Sequence, residues 1–135
     1  GTYVLLSEAR NTGVERVILG STLALFDCYP EDYVMDETWQ PQPSATVEGL
    51  VPYLSELTCR EFSRAGELNI ICLRFDPLDG LNGTSNENVV KALNYALDLE
   101  FTQPGYRWGL FHISSDNRFS SGVERGSLQI ERRVD

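Results

Sequence analysis

Lysine, methionine and histidine each occur only once in this chain of 135 residues, as Lys91, Met35 and His112. A single lysine excludes every mechanism that needs a lysine elsewhere, including the phosphate-binding loop that ends in G-K-[ST]. The sequence also has no G-x-G-x-x-G and no G-x-S-x-G, so it contains neither a recognisable dinucleotide loop nor a nucleophile elbow. Because His112 stands in an apolar segment without a neighbouring ligand residue, we expect a core or strand-end histidine rather than a catalytic one.

Cysteine is scarce, and long apolar runs are absent. Cys28, Cys59 and Cys72 lack the C-x-x-C spacing of zinc and redox sites, so we expect buried, reduced thiols in a cytoplasmic protein and no metal. No segment approaches the roughly 18 apolar residues of a membrane span, and no basic and apolar leader opens the chain. Residues 82–84 (NGT) match a glycosylation sequon, which without a secretory signal we interpret as a turn and a helix cap.

Basic side chains are also in the minority, with 11 against 20 acidic ones and a formal net charge of −9. That charge disfavours nucleic acid and anionic membrane as partners, because its field repels phosphate groups. We expect residues 27–48 to form a surface loop. Its carboxylates predict a solvated face rather than a cation site, because they lack ligand spacing and a fixed glycine: Glu31, Asp32, Asp36 and Glu37.

Apolar periodicity predicts helices that alternate with short strands. We expect helices over residues 2–12, 50–65 and 86–99, and strands over residues 16–19, 69–75 and 109–114. Gly13 and Gly66 follow two of the helices, and residues 84–87 (TSNE) fit a capping box before the third. We expect strand 16–19 to be buried on both faces. This order indicates one α/β domain, residues 1–135, with a parallel sheet.

Two hydroxyl side chains follow the first predicted strand. In open α/β sheets ligands bind at the carboxyl ends of the strands, which is where Ser21 and Thr22 stand. Pro52 and Tyr53 begin the next predicted helix, from which a tyrosine hydroxyl can point at the same crevice. A hydroxyl donor beside a tyrosine is suited to polarising a substrate oxygen during proton and hydride transfer.

Several segments, taken in order, resemble the motifs of one enzyme family. Residues 1–10 (GTYVLLSEAR) resemble the helix G-T-x-N-L-L-x-A-A/C, and residues 14–22 (VERVILGST) resemble the strand V-x-R-F-V-x-x-S-S. Residues 36–41 (DETWQP) resemble a loop bearing E-x-x-P. Residues 52–61 (PYLSELTCRE) resemble the helix Y-x-x-x-K-x-x-x-E, and residues 70–77 (IICLRFDP) the strand that ends in L-R-x-x-N-x-x-G.

Two later segments continue the series. Residues 87–97 (ENVVKALNYAL) resemble the helix D-V-A-x-A-x-x-x-A-L, and residues 111–113 (FHI) resemble the strand near the end of the family's domain. The chain therefore resembles the downstream portion of the NAD-dependent epimerase/dehydratase family, the extended short-chain dehydrogenases/reductases. The resemblance implies a partial Rossmann-like fold of three layers, α-β-α, with about three helices and a small parallel sheet of about three strands.

The resemblance also implies roles for individual residues. Thr22 matches the hydroxyl that positions the substrate, and Tyr53 matches the acid/base tyrosine. The cofactor is implied to be NAD or NADP, and the residues implied to contact it are Ser21, Tyr53, Phe75, Asp76, Pro77 and Leu78. The implied substrate is a small molecule, either a sugar nucleotide or a hydroxylated compound.

Two departures from the family pattern bear on activity. The family's lysine, which favours the tyrosine anion and binds the ribose, corresponds to Leu57, and Lys91 lies on another predicted helix. Loss of such a group typically costs about 10²- to 10⁴-fold in rate. The family's glycine-rich loop corresponds to sequence upstream of Gly1. Since Met35 is the only methionine, we expect a processed or engineered chain, or one cut from something longer.

Three hypotheses stay open at this point. The chain is part of an NAD(P)-dependent oxidoreductase or isomerase that is catalytically impaired, a non-catalytic module that keeps the dinucleotide fold for binding or assembly, or an inactive truncated fragment. In the third case the exposed edges of a half sheet would pair with another copy and form a homodimer.

Overall fold

The computed structural model describes residues 1–76, 83–101 and 107–119. Helices and strands alternate along them as the sequence predicts. The elements in chain order are helix α1 (Thr2–Asn11), strand β1 (Arg16–Thr22), the short 3-10 helix η1 (Leu23–Phe26), helix α2 (Val47–Arg64), strand β2 (Asn69–Phe75), helix α3 (Asn86–Asp98) and strand β3 (Trp108–Ile113). Gly13 and Gly66 have the positive φ angles, 84° and 77°, that let the chain turn after a helix.

The three strands form one parallel sheet in the order β1-β2-β3. Their register places Thr22 beside Phe75, and Phe75 beside Ile113, so the carboxyl ends of all three strands lie in one row. Parallel neighbours joined by helices make the sheet partly Rossmann-like, which confirms the predicted α/β fold class.

Strand β1 differs from its prediction in length and in burial. It continues to Thr22 instead of ending at residue 19, and its residues are half-buried apart from the exposed Gly20. The predicted packing on both faces is present, with Ile18 against one core and Val17 and Leu19 against the other, but these side chains are half-buried because within the described part of the chain only β2 borders β1. The central strand β2 is the one whose interior is fully buried.

Helices cover both faces of the sheet and enclose two apolar cores. Alternate side chains of β2 point to opposite faces. Ile70 packs with Leu6 of α1 and Phe62 of α2 on one face, whereas Ile71 packs with Ala92 of α3 on the other. The result is a three-layer α-β-α arrangement.

Helix α2 begins three residues before its predicted start. The side chain of Thr46 caps it by accepting a hydrogen bond from Gly49 N at 3.2 Å. Proline is easily accommodated only near a helix start, which is why the sequence suggested a boundary at Pro52. Pro52 instead lies inside the helix, so Tyr53 belongs to the second turn rather than the first.

The cap of α3 also differs from its prediction. Ser85, and not Thr84, accepts the hydrogen bond from Asn88 N at 3.2 Å. The Thr84 hydroxyl is buried, where it donates to Ile113 O at 2.8 Å and accepts from Asp76 N at 2.9 Å. Thr84 therefore ties the ends of β2 and β3 together, a tertiary role that local sequence does not reveal.

The surface loop predicted over residues 27–48 ends at residue 46, just before α2 begins, and only part of it lies on the surface. Met35 is fully buried and packs with Phe26 of η1 and with Phe119. Met35 N also donates to Arg118 O at 2.8 Å, so this segment closes a third apolar cluster at one end of the sheet. Tyr29 and Trp39 pack against that cluster from the same segment.

Three further predictions concern the cysteine thiols, membrane-spanning helices and metal sites. Cys59 and Cys72 are buried free thiols as expected, but Cys28 is exposed, because it lies in the segment after η1. None of the described helices is long and apolar enough to cross a membrane. Among the described residues, no group of three or more acidic, histidine or cysteine side chains is placed to hold a metal ion.

Candidate functional site

Thr22 lies at the carboxyl end of β1, beside Phe75 at the end of β2. Its hydroxyl oxygen accepts a hydrogen bond from Ala24 N at 3.1 Å and so caps η1. The contact uses the oxygen as an acceptor and leaves the hydroxyl proton available for donation. The structure thus brings Thr22 and Phe75, two of the predicted site residues, into direct register.

Tyr53 packs against the third apolar cluster, which includes residues of η1. Thr22 caps this same 3-10 helix. Its hydroxyl oxygen accepts a hydrogen bond from Gln40 Nε2 at 3.2 Å. The Tyr29 hydroxyl in turn donates to Gln40 O at 2.7 Å and fixes the backbone at that point. Gln40 was not predicted, because the contact joins a loop to a helix 13 residues further along the chain.

Leu57, which stands in the position of the family's lysine, follows Tyr53 by one helical turn. Both side chains line a small cavity of about 70 Å³ together with Glu56 and Arg74. Leucine offers no hydrogen-bond donor. At the position of the family's lysine, α2 therefore offers Tyr53 an apolar side chain, although Arg60 of the same helix also lines this cavity.

A buried polar network joins all three strands to α2. Ser21 donates to Glu56 Oε2 at 2.5 Å, and the Arg74 guanidinium donates to both oxygens of Glu56, with its shortest contact at 2.6 Å. Arg74 Nη1 lies 3.2 Å from His112 Nε2. Because a guanidinium can only donate, His112 Nε2 is the acceptor in this contact.

This network was not predicted, although the sequence contains a signal for it. Ser21, Arg74 and His112 are polar residues at the ends of three apolar strands, and the register sets them side by side. A charged residue inside a buried strand needs a partner. The sequence could not show that the partner is Glu56, since only the packing of α2 on the sheet brings it there. His112 is fully buried, in agreement with the expectation of a core histidine.

Asp76 follows β2 and has its carboxylate turned toward β3. Its Oδ2 accepts a short hydrogen bond from the buried Ser114 hydroxyl. Ser114 Oγ also accepts from Asp116 N at 2.9 Å, so this contact shapes the turn after β3. Pro77 and Leu78, the remaining predicted contacts, lie outside the described residues.

Burial and the nearby Glu56 carboxylate raise the pKa of two buried thiols, those of Cys59 and Cys72. Burial first, and the Glu56 carboxylate second, raise the pKa of Cys59 from 9.0 to about 11. The same two causes raise the pKa of Cys72 well above its ordinary value, against a smaller lowering effect of Arg74. Both thiols are therefore protonated near neutral pH and unsuited to nucleophilic chemistry.

No protein family and no curated protein sequence matches the chain. Solved structures do. A mutated uronate dehydrogenase superposes with a TM-score of 0.72 and 20% identity, over 98% of this chain and 50% of that one. MoeE5 in complex with UDP-glucuronic acid and NAD gives a TM-score of 0.65 and 21% identity, over 84% of this chain and 46% of that one. MoeE5 in complex with UDP-glucose and NAD gives a TM-score of 0.69 and 17% identity, over 99% of this chain and 65% of that one.

The chain shares the fold of these proteins. It spans about half the length of the first two and 65% of the third. The likenesses support the expected partial Rossmann-like α/β fold, and identities of 17% to 21% show the fold alone.

Proposed function

We propose that the chain is the downstream part of an NAD(P)-dependent oxidoreductase or isomerase that acts on a sugar nucleotide or a related hydroxy compound. One observation supports this most. Thr22 is the last residue of β1 and lies beside Phe75. Tyr53 packs against the third apolar cluster, which contains residues of η1, the helix that Thr22 caps. Both hydroxyl oxygens accept a hydrogen bond from the protein, and in these contacts neither proton is used. A substrate oxygen at this edge could then be polarised by Thr22 and exchange a proton with Tyr53.

The residues described here do not by themselves fit a dinucleotide. Leu57 has no donor for a ribose, Ser21 donates inward to Glu56, and Asp76 accepts from Ser114. When bound, NAD(P) would supply the hydride chemistry. We assign its binding mainly to an upstream half of the whole protein, to which Phe75 and Thr22 would add contacts from this chain. Impaired catalysis follows from Leu57.

The test uses the polypeptide as it occurs in its source cells. Its mass by mass spectrometry shows whether it extends beyond the 15.2 kDa of this chain. Calorimetry with NAD then measures cofactor binding, and NADH formation with UDP-glucose or UDP-glucuronic acid measures turnover. We expect weak turnover that Leu57→Lys raises about 10²-fold or more and that Tyr53→Phe abolishes. Tyr3→Phe, a change on the exposed side of α1, is the matched control and should leave turnover unchanged.

The proposal fails if the Leu57→Lys protein neither binds NAD nor converts either sugar nucleotide. If NAD binds and Tyr53→Phe changes nothing, the chain belongs to a binding module instead. The single domain over residues 1–135 and the cytoplasmic location stay predictions.

A non-catalytic assembly module is the second candidate, and the surface of two neighbouring helices favours it. The helices α1 and α2 meet where Thr2 Oγ1 lies 2.9 Å from Ser55 Oγ. They expose the large apolar side chains Tyr3, Val4, Leu5, Val47, Val51 and Leu54. Such a surface supports a homodimer built through these helices. Sedimentation should then give twice the chain mass, and Leu5→Glu should give a monomer; a wild-type monomer at all concentrations contradicts it.

A further inference from the structure

A concave surface lies beside β3, which is an edge of the sheet within the described residues, and it adjoins Tyr53. It consists of a cavity of about 480 Å³ and the 70 Å³ cavity next to Tyr53. The two cavities share Arg60, Arg74, Trp108 and Leu110, and residues 37–41 also line the larger one. We call this surface the β3 cleft. Its volume falls in the range of small-molecule sites, about 300–1,000 Å³.

Arg60 is the cation of the β3 cleft that has no partner in the described ranges. It is exposed and follows Glu56 by one helical turn, but Glu56 is bound by Arg74. The next arginine on α2, Arg64, is paired with Glu61. Arg60 forms no ion pair or hydrogen bond with any described residue. A guanidinium that is free at the rim of a cavity is suited to a carboxylate, which it can bind through two parallel hydrogen bonds.

Two indole rings line the same cleft. Trp39 comes from the segment between η1 and α2, and Trp108 opens β3. Trp39 is held in place by an edge-to-face contact with Tyr29, whose ring centroid lies 5.3 Å away. Indole faces contact flat or alicyclic rings favourably. The cleft therefore offers a ring-binding surface beside a cation.

From this juxtaposition we propose that the β3 cleft binds a small ring compound that has one carboxylate, with Arg60 on the carboxylate and the indoles of Trp39 and Trp108 on the ring. A single negative charge is specified because Glu37 also lines the cavity. A polyphosphate would bring further anionic groups toward that carboxylate. The inference does not depend on the proposed NAD(P) chemistry, because it concerns binding alone.

The composition of the chain makes the test direct. The chain has two tryptophans, and both line the cleft, so all its indole fluorescence reports on this surface. The intact chain is titrated with phenylacetate, which combines a ring and one carboxylate, under excitation that phenylacetate does not absorb. The matched probes are 2-phenylethanol, which keeps the ring and lacks the charge, and acetate, which lacks the ring.

We expect saturable quenching by phenylacetate, with 2-phenylethanol and acetate each binding about ten-fold or more weakly. Arg60→Gln should weaken phenylacetate binding about ten-fold, and Arg60→Lys, which keeps the charge without the planar donors, should weaken it less. Arg64→Gln is the matched control on the same helix and should leave binding unchanged. Arg60 is exposed and has no partner among the described residues, so we expect its variants to keep the fold, and circular dichroism spectra of all three variants verify this.

Three results would overturn the proposal. Equal binding of 2-phenylethanol would show that the carboxylate is not recognised. An equal loss in Arg64→Gln would show a general charge effect instead of a contact at Arg60. If no probe causes a saturable change in the indole fluorescence, the cleft does not bind a ring compound with a carboxylate.

Discussion

Glu56 and Arg74 form an ion pair inside the protein, where α2 crosses β2, with side chains only 6% and 4% exposed. Both oxygens of Glu56 accept from Arg74, and one accepts from Ser21 as well. The Arg74 guanidinium also lies 5.2 Å from the centre of the Phe26 ring. A buried pair that is satisfied in this way is costly to break from one side, because the remaining charge stays buried.

Removing one partner of this pair should therefore destabilise the fold strongly. We expect Glu56→Leu to lower the free energy of unfolding by about 3–5 kcal/mol, as measured by urea denaturation. The double variant Glu56→Leu/Arg74→Met should lose less than the two single variants together, because no unpaired charge remains. A single-variant cost below about 1 kcal/mol would contradict the role assigned to the pair.

Gly49 in α2 is required by space, whereas Gly20 in β1 is not. A Cβ atom at Gly49 would lie 2.5 Å from Ser44 O, but at Gly20 it would meet no atom of the described residues within 4 Å. We expect Gly49→Ala to cost about 1–3 kcal/mol, because the backbone before α2 must shift. Gly20→Ala should be neutral or add about 0.5–1 kcal/mol, since glycine weakens a strand. Urea denaturation of both variants measures the change in the free energy of unfolding, and equal changes would refute the steric argument.

Arg16 closes the C-terminal end of α3 from β1. Its Nη1 donates to Ala96 O at 2.9 Å and to Leu97 O at 2.8 Å. Arg16→Met keeps the apolar stem and should cost about 1.5–3 kcal/mol, because carbonyls at the helix end lose a charged donor. The comparison is Arg10→Met, which removes an exposed pair with Glu67 and should cost less than about 1 kcal/mol. Thermal unfolding that ranks the two variants the other way would refute this assignment.

The buried thiol of Cys59 predicts a loss of stability at alkaline pH. Its pKa is raised from 9.0 to about 11 in the fold, chiefly by burial. Below pH 9 the thiol is protonated in both states. Between pH 9 and 11 only the unfolded thiol releases its proton, so the free energy of unfolding falls as the pH rises.

The measurement is urea denaturation at several pH values from 8 to 11. Cys59→Ala should show a smaller loss of stability between pH 9 and 11 than the wild type, whereas Cys28→Ala, a change at the exposed cysteine, should match the wild type. If Cys59→Ala loses as much stability as the wild type over that interval, Cys59 makes no contribution to the pH dependence.

Much of the architecture followed from local sequence. The apolar run from Asn69 to Phe75 is β2 with its predicted bounds, because seven consecutive residues with a buried interior leave few alternatives to a central strand. Gly13 and Gly66 mark the turns after two helices, because a positive φ angle is a local requirement that glycine meets most easily. The ordered motifs also indicated the family resemblance, and the catalytic roles that this resemblance implies for Thr22 and Tyr53 stay predictions.

Tertiary structure decided the contacts that give these residues their surroundings. Glu56 meets Ser21 and Arg74 only because α2 packs on the sheet, and Gln40 reaches Tyr53 only because residues 27–46 fold back over η1. Thr84 does not form the expected helix cap, and its hydroxyl instead joins the ends of β2 and β3. A buried polar group must find a partner wherever packing offers one, and packing depends on residues far apart in the chain. Element order was therefore determined by the sequence alone, whereas the partners of its polar side chains were determined by the folded structure.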